Sequence, residues 1–273
     1  MNAAPTRRAL AAAFLVRDWR IARTYRSALV LDAAATVSSF AVTYFLARAF
    51  AGAHILQRPE LSHGYFPFAS VGLLMLYVIE SCVSGPTERL REDQQSGTLE
   101  MLASTPVAPR RLLFGGAGYR LTRALVNAAV GLAVAIALFG LRPTITIAGL
   151  LAVGIALAGG VIVAMAIGTV IAAAALTIRR TGVLTTAANT AIALSAGLYY
   201  PIAVLPDGLR QPAQLSPVTW SVDLMRGGLL NGRLDGLRAA GLLVSGPVLL
   251  GLATVLFERA FIAARRNGDL NRV

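Results

Sequence analysis

The chain has 273 residues, 56% of them hydrophobic and only 14% charged, with a formal net charge of +12. A soluble domain of this length carries about a quarter charged residues, so the composition fits lipid rather than water as solvent. All 25 basic residues are arginine; the lack of lysine excludes a phosphate-binding loop that requires one. Arginines placed beside apolar runs suit anionic headgroups rather than nucleic acid.

Residues 6–27 form the first organised segment. Leu10, Phe14, Ile21 and Tyr25 share one arc of a helical wheel, with Arg17, Arg20, Arg23 and Arg26 mostly opposite. Such a stripe predicts an amphipathic helix in the membrane interface. No small-residue cleavage site follows the short apolar run at 9–16, which argues against a secretory signal. Residues 1–27 are therefore read as a cytoplasmic tail with an interfacial helix.

Apolar runs near 28–48, 64–84, 117–141, 146–178, 182–203 and 236–258 predict six transmembrane helices in an all-α polytopic membrane protein. The membrane domain is 28–258, with a cytoplasmic loop at 85–116, an outer segment at 204–233 and a cytoplasmic tail at 259–273. The fourth run exceeds one crossing and must tilt or project, and Pro143 marks the turn before it. With both termini inside, 18 arginines fall on the inner side and seven on the outer, in line with the positive-inside rule.

Charge is missing where ion relays need it. No charged residue occurs at 33–47, 64–79, 124–141, 143–178, 181–206 or 239–257, which disfavours a proton-coupled transporter. Asp32, Glu80, Arg120, Arg123 and Glu258 fall near the predicted inner ends. Glu80 is either a functional intramembrane acid or an interfacial one paired with Arg120 or Arg123; the pairing is favoured. Neutral polar residues within spans (Thr36, Ser38, Ser39, Thr43, Asn127, Asn189, Thr190, Ser195) either bond helices together or line a pathway. Tyr199 and Tyr200 either anchor an outer boundary or line an exit. In the fourth run Ala148, Ala152, Ala156, Gly160, Ala164, Gly168 and Ala172 recur every four residues, a spacing that lets helices approach closely.

Nothing in the chain forms a catalytic constellation. Cys82 is the single cysteine, and His54 and His63 read as solvated loop residues rather than a metal pair. Asp207 and Asp223 read as helix caps in the outer segment. We therefore expect no catalytic residue and no metal site.

The inner loop after the second run contains Glu88, Glu92 and Asp93, then Gly97-Thr98-Leu99-Glu100, Leu102 and Pro106. Gly97 can break one helix, Thr98 can cap the next, and Pro106 ends it. This gives a short helix along the inner surface, either a connector or a contact for another protein. The run resembles the signature of ABC-2 type exporter permeases. The interfacial helix, the six runs and the outer segment also resemble that family; the segment runs from Tyr199-Tyr200-Pro201 through Leu205-Pro206 and Leu215-Ser216-Pro217 to Trp220, Asp223, Arg226 and Gly227. Asp93 and Gln95 stand where the family often has two glutamates.

The resemblance implies a non-catalytic permease of the bacterial inner membrane, with a re-entrant outer segment. It implies a dimer with a second permease, the same chain or a homologue, bound to two cytoplasmic ATPase subunits. Those subunits, not this chain, would use ATP and Mg. Glu88, Glu92, Asp93, Gly97, Thr98, Leu99, Glu100 and Pro106, with the interfacial helix, would meet the ATPase. Apolar and neutral-polar span faces suit a lipid, a hydrophobic drug or a lipid-linked glycan as cargo. The competing expectation is a self-sufficient secondary transporter.

Overall fold

A computed structural model describes residues 26–50, 59–95, 117–176 and 181–267. Among them every extended element is a helix: α1 (Arg26–Ala49), α2 (Tyr65–Gln95), α3 (Ala117–Ala137), α4 (Ile147–Ala175), α5 (Thr181–Ser195), α6 (Asp207–Leu215), α7 (Pro217–Asn231) and α8 (Gly236–Asn267). Arg17, Arg20 and Arg23 of the expected interfacial helix lie outside the described residues, as do His54, Gly97, Thr98, Leu99, Glu100 and Pro106. Arg26 opens α1.

Each of the six predicted runs coincides with a helix, yet the helices are unequal. Tyr65–Glu92 in α2, Ile147–Ala175 in α4 and Gly236–Arg266 in α8 are long and apolar enough to cross a bilayer. At 1.5 Å per residue, the 15 residues of α5 span about 22 Å, short of the roughly 30 Å of hydrocarbon. The fifth predicted run, 182–203, is thus not one continuous helix. The chain turns at Gly197, whose φ of +66° is a conformation that glycine adopts without strain. α2 in turn passes through Gly85 and Pro86 to Gln95, so the predicted loop at 85–116 begins as further turns of helix. α8 likewise runs beyond the predicted boundary at 258.

α4 is the hub, packed against α2, α5, α7 and α8. The small-residue stripe explains why. Ala152, Ala156, Gly160, Ala164, Gly168 and Ala172 are buried, while Ala148 at its start is exposed. A methyl group at Gly168 would collide with the Val83 carbonyl and stand 2.9 Å from the Cys82 oxygen. Pro86 has no N–H to engage the Cys82 carbonyl four residues back, so α2 presents free backbone to the closely placed α4. α1 joins α2 and the turn after α3 through an aromatic group in which Tyr44, Phe66 and Phe139 lie 4.9 to 5.6 Å apart. By contrast, α8 turns Leu243, Val244, Val248, Leu252 and Val255 outward. Of the most apolar stretch of α8 22% is buried, against 78% in α2; the former suits contact with lipid.

Candidate functional site

α2 has two faces. One supplies Val71, Met75, Val78, Ile79 and Val83 to the main core. The other carries Tyr77, Ser81, Ser84, Glu88 and Glu92, three or four residues apart and therefore on one stripe. Glu80 and Arg89 flank that stripe. It lines a cleft of about 830 Å³, walled on one side by Arg123, Ala124 and Asn127 of α3. On the other side stand Thr186, Asn189, Thr190, Ala193 and Leu194 of α5, with Tyr199 just beyond it. The cleft runs along α2 for about four turns, roughly 22 Å from Tyr77 to Glu92.

The cleft gathers four of the nine predicted pathway residues: Asn127, Asn189, Thr190 and Tyr199. Asn189 also serves as glue, since its Nδ2 donates to Ser84 Oγ at 3.3 Å; its Oδ1 is buried with no hydrogen-bond partner. The other five do not line it. Ser39 donates to its own helix at Ala35 O (2.9 Å), Thr43 to Ser39 O (2.8 Å) and Ser195 to Ala191 O (2.7 Å). Ser38 is exposed on α1. The Tyr200 hydroxyl donates to Leu194 O at 2.6 Å. Of the predicted coupling residues, Glu88 and Glu92 sit exposed at one mouth of the cleft, and Arg89 pairs with Glu92 at 3.7 Å. Asp93 follows on α2, its side chain outside the described set.

For Glu80 the structure speaks only to the expected pairing with Arg123. Glu80 lines the cleft at the midpoint of α2, half-buried, and forms no ion pair or hydrogen bond among the described residues, Arg123 included. The Arg120 side chain is outside the described set. Tyr77, Ser81, Ser84 and Thr186 were missed from sequence, although the serine and glutamate spacing along α2 was the available signal.

A second polar cluster occupies the opposite end. Arg226 of α7, 8% exposed, donates from Nη2 to the carbonyls of Gly197 (2.7 Å) and Leu198 (3.0 Å). Its Nε donates to Phe68 O at 3.3 Å, and its guanidinium lies 3.6 Å from the Phe68 ring centroid. Backbone freed where α5 ends is thereby satisfied inside protein, as a nonpolar surrounding demands. Asp223 bridges Arg226 (3.8 Å) and Arg238 of α8 (3.1 Å). It lies within α7, so it is an ion-pair member and not the predicted cap. Burial pushes its carboxyl above the ordinary range, while Arg238 and Arg226 pull it back. Burial brings Arg226 down to about 10, opposed by Asp223, so it stays charged at neutral pH. Asp207 does fall in a first helical turn, paired with Arg210 at 3.3 Å. His63 meets Asn231 Oδ1 at 2.7 Å.

The described residues thus form a helical bundle with lipid-suited faces and a polar cleft. The family model for the ABC-2 type transporter matches residues 11–230. The chain belongs to the ABC-2 type transporter family. No curated protein matches it. The matched span of this ABC-2 transporter chain takes in all three walls of the cleft and Arg226, and it ends at the last turn of α7.

Proposed function

We propose that the chain is the transmembrane permease subunit of an ATP-driven exporter, with the polar cleft as its half of the substrate passage. The carrying observation is the stripe from Tyr77 to Glu92. It gives a continuous polar path along α2, and it ends five residues before Gly97-Thr98-Leu99-Glu100 in the sequence. Two permeases, this chain twice or with a homologue, enclose the passage. Two cytoplasmic ATPase subunits dock on that loop and the interfacial helix, and they consume the Mg-bound ATP. The arginine asymmetry supports a bacterial inner-membrane protein with both termini cytoplasmic. The outer segment at 204–233 enters the membrane from outside and returns, and its Arg226 holds the backbone freed beyond α5. The cargo is an amphiphile such as a lipid, a hydrophobic drug or a lipid-linked glycan.

Co-purification with the ATPase, then ATP-dependent export from proteoliposomes, tests this reading. Deleting Gly97-Thr98-Leu99-Glu100 is expected to abolish coupling while the permease still folds. Gradient-driven transport by the chain alone would instead favour a secondary transporter, in which Glu80 would be the proton carrier.

A further inference from the structure

The cleft is polar along its length, but its charges are unevenly answered. At the mouth, Glu92 has Arg89 at 3.7 Å. Half-way along α2, Glu80 faces the same cleft with no ion pair or hydrogen bond among the described residues. Across the cleft stand Arg123, itself engaged elsewhere, and the neutral polar side chains of Asn127, Thr186, Asn189 and Thr190. Tyr77 lies about one turn away on the same face of α2, and Tyr199 lies within electrostatic reach of the Glu80 carboxylate. An unanswered carboxylate inside an apolar bundle is costly to keep unless something neutralises it. A carboxylate beside two tyrosine rings is the chemistry that receives an ammonium or similar cation.

We propose that the Glu80 end of the cleft is a binding subsite for the cationic group of an amphiphile, whose apolar part lies along the exposed helix faces. This rests on the cleft being the substrate passage. It narrows the cargo to lipophilic cations, whether an amine-bearing lipid or a soluble amphipathic amine. The two sources share the ammonium chemistry and differ in their tails.

The test is equilibrium binding to the full chain in an uncharged maltoside detergent, corrected for empty micelles and without ATP or ATPase. A coupling failure therefore leaves the result intact. The probes are tetraphenylphosphonium and tetraphenylborate, which match in size and oppose in charge. The cation should bind at least about tenfold more tightly than the anion, and Glu80→Gln should remove that preference without lowering the melting temperature. Displacement of the cation by lysyl-phosphatidylglycerol, but not by benzyltrimethylammonium, identifies a lipid source; the converse identifies a soluble amine. Equal binding of the two probes by the unmodified chain overturns the proposal, and that comparison needs no variant to fold. Undiminished cation preference in Glu80→Gln overturns it as well.

Discussion

Two polar groups sit inside this apolar bundle and are treated in opposite ways. Arg226 is enclosed, with three backbone carbonyls, an aromatic face and Asp223 around it. Glu80 opens onto a cleft and has no such company among the described residues. A charge answered on every side is part of the architecture, because removing it strands its partners. A charge left open to a passage can be answered by something that passes. The contrast separates residues that hold the bundle from residues that use it, and stability measurements can break it.

The largest effect is expected at Arg226. Arg226→Ala leaves Asp223 short of one counter-charge and frees the Gly197 and Leu198 carbonyls. Loss of a buried, paired charge destabilises by about 3–5 kcal/mol. Thermal unfolding in detergent should show a large drop in melting temperature. Arg226→Lys should recover part of it, since an ammonium keeps the charge but lacks the planar fork that spans several acceptors. A variant as stable as the parent would erase the distinction drawn above.

Next comes the back of the cleft wall. Gly168→Ala pushes a methyl group into the Val83 and Cys82 carbonyls, so α2 and α4 must separate. Overpacking of this kind costs about 1–3 kcal/mol. The same unfolding measurement checks it, and an unchanged melting temperature would mean that the helices yield more easily than their packing implies.

Thr146 offers a smaller test at the end that holds Arg226. It caps α4 by accepting from Gly149 N at 2.9 Å, and it donates to Gly232 O at 2.6 Å. Loss of such a cap costs about 1 kcal/mol. Thr146→Ala should therefore give a modest fall in melting temperature, well below that of Arg226→Ala.

Helix positions were legible in the sequence because apolar runs and the small-residue stripe are local signals. The places where reading failed are those where a distant residue decides. α5 stops at Ser195 because carbonyls beyond it are claimed by Arg226, some thirty positions later. α2 ignores Gly85 and Pro86 because a proline removes one hydrogen bond, and α4 is packed against the exposed carbonyls. Asp223 looked like a cap because its second arginine, Arg238, belongs to another helix. For the cleft, Asn127, Asn189 and Thr190 could be picked out as polar residues in apolar runs. That α3 and α5 turn them toward one side of α2, while Ser39, Thr43 and Ser195 bond back to their own helices, depends on packing.

The smallest predicted effect falls in the cleft itself. Ser84 Oγ meets Asn189 Nδ2 at 3.3 Å, a long contact between neutral groups at the edge of an accessible space. Side-chain hydrogen bonds between membrane helices contribute about 0.6 kcal/mol on average, and water entering the cleft can replace this one. Ser84→Ala should hence leave the melting temperature nearly unchanged, although it trims the polar stripe between Ser81 and Glu88. If instead it destabilised the protein as much as Arg226→Ala, Ser84 and Asn189 would be structural glue. The stripe would then be a packing seam, and the cleft would lose its claim to be the passage.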